Sequence, residues 1–203
     1  MSQLDLSRIP RKPWNAGRMT GAKAPLKPKH IWAIRQQLKS VGSIRDLAMF
    51  NIALDAKLRL ADIAQGGAIR QRSTIIQQKT GRPVPFEITE AAREALAQWL
   101  ERRGRRRDDW LFPSRSRDGA HIGTRQYARL VDAWAGTIDL NPSAYGTLGL
   151  RRTKVALIHK KTGNLRACQL LLGHGKLEST VRCLGIEVDD ALEISEQIEL
   201  QAA

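Results

Sequence analysis

Three side chains able to do chemistry stand at the ends of helical stretches within residues 149–184. Arg151 belongs to a paired-arginine helix start, His174 closes a Leu-Leu-Gly-His run, and Cys183 lies on a further short helix. A guanidinium offers a permanent cation with forked donors, an imidazole a donor near neutral pH, and a thiol a nucleophile. The apolar positions around them follow a helical period. Val155, Leu157 and Ile158 predict one buried face, and Leu170, Leu171 and Leu172 another. Gly163 and Gly173 are placed to end these two segments. The pattern predicts a site assembled at the rim of a helical core.

The charge balance says what such a site would meet. With 34 Lys and Arg against 20 Asp and Glu, the 203-residue chain carries a net charge of +14. That excess favours a polyanion, most simply nucleic acid. A hydrophobic content of 42% is that of a folded chain. No apolar run approaches the roughly 18 residues a membrane span needs, and the N-terminus has no apolar signal region, so a cytoplasmic location without membrane contact is expected. Two cysteines are too few for a disulfide framework or a four-cysteine zinc site.

The elements that must position the site follow in chain order. Residues 1–25, with Pro10, Pro13 and Pro25 among basic and small residues, predict a flexible basic arm. A domain is expected over 26–187. Pro28 suits the first turn of a helix carrying Ile31, Trp32, Ile34 and Leu38. Ser43 is placed to cap a strongly apolar helix in which Leu47, Phe50, Ile52 and Leu54 face the core. Two β-branched runs around a Thr-Gly turn, before and after Lys79, predict a hairpin. Thr89 should cap a helix with Ala92, Leu96, Trp99 and Leu100 inward. That helix runs into the cluster Arg102, Arg103, Arg105, Arg106 and Arg107, a density of guanidinium suited to phosphate oxygens. After the extended segment Trp110-Leu-Phe-Pro-Ser114, a helix from Thr124 should turn Tyr127, Leu130, Val131 and Trp134 inward and Arg125 and Arg129 toward DNA. Arg152 and Lys154, beside the helix start, complete the expected DNA-facing set. Residues 188–203 form an acidic amphipathic tail whose apolar stripe calls for a partner.

The segment 149–184 resembles the C-terminal half of a tyrosine recombinase (phage integrase) catalytic domain. In that family a His-x-x-Arg box opens a helix, Leu-Gly-His follows, and a nucleophilic tyrosine stands nine positions after that histidine. Arg151 fits the box arginine and His174 the Leu-Gly-His histidine, while the tyrosine position holds Cys183 and the box histidine position Leu148. Lys57-Leu58-Arg59 resembles the triplet that carries the first catalytic arginine, and Lys79 the general-acid lysine on a hairpin. The stretch after Arg59 is shorter than the family's usual link, and the residues before Ser43 are too few for its separate N-terminal clamp domain.

The resemblance implies a mainly α fold with a small antiparallel sheet, duplex DNA as partner, and transesterification at a phosphodiester. Arg59 and Arg151 would hold the non-bridging oxygens, each such donor being worth roughly 3–4 kcal/mol at the transition state. His174 would donate to the same phosphate and Lys79 would protonate the leaving oxygen, with no metal or cofactor. The tail helix implies docking on a neighbouring protomer or on an intact recombinase. With Cys183 and Leu148 replacing two chemical groups, the expected function is DNA binding in the site-specific recombination class with cleavage lost or impaired. The alternatives are a strand transferase using Cys183 or another nucleophile such as Tyr145, and a basic non-catalytic interaction scaffold.

Overall fold

The computed structural model describes residues 23–55, 63–65, 68–76, 81–104, 110–114 and 121–185. The N-terminal arm up to residue 22, Arg59, Lys79, Arg105, Arg106, Arg107 and the acidic tail lie outside the described residues. Seven helices and two short ladders are present among them. Helices α1 (Pro28–Ser40) and α2 (Ile44–Asp55) precede strands β1 (Ala64–Gln65), β2 (Ala68–Ile69), β3 (Arg72–Ile76) and β4 (Pro83–Glu87). Helices α3 (Glu90–Arg103), α4 (Thr124–Gly136), α5 (Thr147–Thr162), α6 (Leu165–Leu172) and α7 (Leu177–Leu184) follow, with a 3-10 turn at Pro142–Ala144. The architecture is the expected one, mainly α with minor antiparallel β. No described helix is long and apolar enough to cross a membrane.

Helix α2 is the centre because four successive apolar residues, Leu47 to Phe50, fan around it. Leu47, Ala48, Met49, Phe50 and Ile52 are all buried, against α1, α3 and α5; the side chain of Leu54 lies outside the described residues. Phe50 meets Trp134 of α4 edge-on, ring centroids 5.5 Å apart. The Ser43 carbonyl accepts the first helical hydrogen bond of α2, from Leu47 N at 2.9 Å, so Ser43 holds the predicted N-cap position. A buried polar link ties three helices. Arg35 Nε donates to Asn51 Oδ1 (2.7 Å), and Asn51 Nδ2 donates to the Ala91 carbonyl (3.2 Å). Asn51 near the end of α2 thus meets the start of α3, so the two helices run antiparallel.

The predicted hairpin is β3 paired with β4, Ile76 opposite Pro83 and Arg72 opposite Glu87. Alternate residues Val84 and Phe86 are buried, as a half-covered strand requires. Ala68-Ile69 pairs with Ala64-Gln65 in a separate antiparallel ladder. Thr89 sits at the α3 N-cap position without a side-chain capping bond, whereas Asn164 caps α6 by accepting from Ala167 N at 2.9 Å. Gly163 and Gly173 end α5 and α6 in the left-handed region, where a side chain would be strained.

A second, smaller core lies under α5, α6 and α7, formed by Val155, Cys168 and Leu172 with Ile158, Cys183 and Leu184 against it. This corrects the apolar face predicted for α6. Three successive leucines are fanned about 100° apart on a helix, so only Leu172 joins Cys168, one turn earlier, inside. Leu170 and Leu171 are exposed.

Candidate functional site

The site is built on the turn from α6 to α7. Gln169, buried on α6, holds His174 at both main-chain ends: its carbonyl accepts from His174 N (3.1 Å) and its amide Nε2 donates to the His174 carbonyl (3.1 Å). Arg166 Nη1 donates to Gln169 Oε1 (2.7 Å) and fixes the amide. The ring is held from the next helix, where Nδ1 lies 3.0 Å from Oγ1 of Thr180, a fully buried residue. Burial lowers the His174 pKa below its ordinary value, and the nearby Arg151 charge lowers it further.

Arg151 comes to the same turn from α5. Its Nη2 donates to the Leu172 carbonyl (3.2 Å), two residues before His174, and the residue as a whole stays exposed. Arg152 points about 100° away around the helix. Its guanidinium donates to the carbonyls of Lys23 and, at 3.5 Å, of Cys183, and its Nε to that of Leu148 at 3.4 Å. It therefore fastens the chain entering at Lys23 to α5 and α7. The same strap is held by Lys23 Nζ donating to the Tyr145 carbonyl (2.7 Å) and by Leu26 N donating to the buried Thr153 hydroxyl (3.0 Å).

Cys183 faces this corner half-buried, against the smaller core. Burial pushes its thiol pKa up, against the opposing charges of Arg152 and Arg151. Leu148 is 70% exposed in the first turn of α5.

Strand β4 packs on α6 and brings the hairpin to the turn. The Arg82 guanidinium, at the start of β4, lies so close to Gly175 that a Cβ there would stand 2.9 Å from its Nη1. Arg82, Gln169 and Thr180 were not singled out by sequence reasoning. Arg82 did carry a signal, as a second cation three residues after Lys79 in the same hairpin turn.

The remaining expected residues are spread over the surface. Arg103 Nη1 donates to the carbonyls of Trp110 (2.7 Å) and Leu111 (3.1 Å), bracing the segment after α3. Arg102 is exposed beside a cleft of about 330 Å³ lined also by Ser43, Arg45, Trp99 and Pro113. That cleft is at the N-terminal end of α2. Arg125 and Arg129 are exposed on α4, and Lys154 is half-buried on α5. The two tyrosines belong to the larger core. Tyr127 packs edge-on to Trp134 with its phenol pKa raised by burial, and Tyr145 packs edge-on to His30.

The class is defined by a mainly helical domain that presents a guanidinium and an imidazole around one helix-end turn. The chain belongs to the phage integrase family, whose model matches residues 25–183. Over 99 residues it is 34% identical to the tyrosine recombinase XerC of Erythrobacter litoralis (strain HTCC2594), a match covering 49% of this chain and 30% of that protein. The fold is similar to that of the XerA recombinase, with a TM-score of 0.66 at 16% identity over 88% of this chain and 65% of that one. XerH recombinase in a post-cleavage complex with its difH substrate gives a TM-score of 0.68 at 17% identity, over 92% of this chain and 55% of that one. The Tn1549 transposon integrase in complex with transposon right-end DNA gives 0.61 at 14% identity, over 88% and 66%. The chain thus spans under a third of the XerC relative and at most about two thirds of these solved structures.

Proposed function

We propose that the domain binds duplex DNA in the manner of a site-specific recombinase and holds one backbone phosphate with Arg151 and His174, Arg59 and Lys79 completing the set. On this reading strand cleavage is lost or impaired. The observation that carries it is the convergence of Arg151 and His174 on one four-residue turn, Leu172 to Gly175. An imidazole with a lowered pKa is neutral near pH 7. In the tautomer that carries its proton on Nε2, Nδ1 accepts from the Thr180 hydroxyl and His174 donates from Nε2 to a phosphate oxygen. Arg151 adds forked donors and fixed positive charge, which a phosphorane's extra negative charge would meet most strongly.

Cleavage needs a nucleophile as well. A thiol held protonated by burial is a weak nucleophile at neutral pH, and sulfur on Cβ reaches less far than a phenol oxygen. A misplacement of about 1 Å costs on the order of a hundredfold in rate. Leu148 offers no hydrogen bond at the box position. Arg125, Arg129 and Arg102 add phosphate contacts across the exposed surface. The partners on this reading are duplex DNA and, through residues 188–200, a neighbouring protomer or an intact recombinase.

The test is duplex affinity measured against salt concentration. A salt-dependent affinity is expected, and Arg151→Ala should reduce the slope of log K against log salt by about 0.9, the value for one lost phosphate contact. A flat response in the unaltered chain would remove the DNA reading.

A further inference from the structure

Arg82 and Arg151 reach the same His174 turn from different elements, the hairpin and α5. Arg151 Nη2 holds the Leu172 carbonyl, two residues before His174. The Arg82 guanidinium lies against Gly175, one residue after it, with Cζ 3.5 Å and Nη1 2.9 Å from where a Cβ would be. The backbone that delivers Arg82 is stiff: Pro83 follows, pairs with Ile76 at the start of β4, and β4 rests on α6. Arg82 is itself exposed. Its guanidinium carries a permanent positive charge and five N–H donors.

We propose that Arg82 is a further phosphate-binding cation of this site, and that the missing side chain at Gly175 is what admits it. The assignment rests on the duplex-DNA reading above and adds a contact to it. Two guanidinium groups and a neutral imidazole donor at one turn suit a backbone phosphate, a tetrahedral monoanion, with charge from Arg82 and Arg151 and direction from His174. Gly175 has ordinary backbone torsions, outside the left-handed region, so alanine or valine there fits the main chain. What must move is the tip of the Arg82 side chain.

The experiment uses the full chain and a mixed-sequence 30-base-pair duplex, with affinities at 50 and 200 mM salt. For Arg82→Ala, the loss of affinity between the two salt concentrations should shrink by about threefold, the effect of one fewer phosphate contact. Arg82→Lys should keep most of the salt dependence because it keeps the charge. Gly175→Val should weaken binding in the parent and have no further effect in an Arg82→Ala background, while thermal unfolding of all variants stays near that of the parent. An unchanged salt dependence in Arg82→Ala, beside normal salt dependence in the parent, would overturn the assignment and leave the DNA reading intact. So would additive effects of the Gly175 and Arg82 changes. Binding by the parent that ignores salt would overturn both.

Discussion

His174 meets solvent with its ring orientation set by Thr180 and its charge set by burial and by Arg151. The folded chain holds this imidazole neutral, with a pKa below the ordinary 6.5. As pH falls through about 6.5, the unfolded chain takes up a proton that the folded chain refuses, so stability drops until the folded-state pKa is reached. His30 acts in the same direction, lowered by burial and by Lys29 and Lys27. The loss of melting temperature between pH 7.5 and pH 5.5 should therefore be smaller in His174→Gln than in the parent, with the His30 share retained. An identical loss in both would show that His174 is not held neutral. The ends of the helices that carry Arg151 and lead into His174 were legible in the sequence because Gly163 and Gly173 punctuate them. The division of labour between Arg151 and Arg152 was not. Adjacent residues on a helix differ by about 100°, and only the strap from Lys23 decides which guanidinium faces inward. Arg82 and Gly175 are far apart in sequence, and no local pattern announces their contact.

Helix α5 has to present Arg151 and receive the strap at once, and Thr153 links the two tasks. Its fully buried hydroxyl donates to the Gly149 carbonyl (2.9 Å) and accepts from Leu26 N (3.0 Å). Thr153→Val keeps the shape and leaves the Leu26 N–H buried without an acceptor, a loss of about 1–3 kcal/mol. Denaturant titration should show that loss for valine and a smaller one for serine; equal stability of the valine variant would mean the strap contributes nothing. Gly149 belongs to the same contact, since a Cβ there would lie 3.0 Å from the Ala24 carbonyl. Most elements were readable from apolar period and capping residues, and α1, α2, α3 and α4 fall where those signals put them. The α6 face was misread because a leucine triplet has no period of its own. The separate β1–β2 ladder was missed because two-residue strands carry too little pattern to assign a partner.

At the scale of the molecule, the larger core under α2 carries the fold, and the smaller core under α5, α6 and α7 carries the site. The hairpin links them, since β3 and β4 contribute Ile75 and Phe86 to the larger core while β4 rests on α6. That division explains how the domain can keep the integrase fold while the nucleophile position changes. Cys183 packs into the small core as an apolar residue would. The proposed phosphate cradle uses the side chains of Arg151, Arg82 and His174 and not that of Cys183, so restoring the missing groups should restore chemistry. The decisive measurement is covalent capture on nicked duplexes with a randomised central sequence, resolved on denaturing gels. The unaltered chain should give no protein–DNA adduct, and the Leu148→His, Cys183→Tyr double variant should give one. An adduct formed by the unaltered chain and abolished by Cys183→Ser would contradict the account.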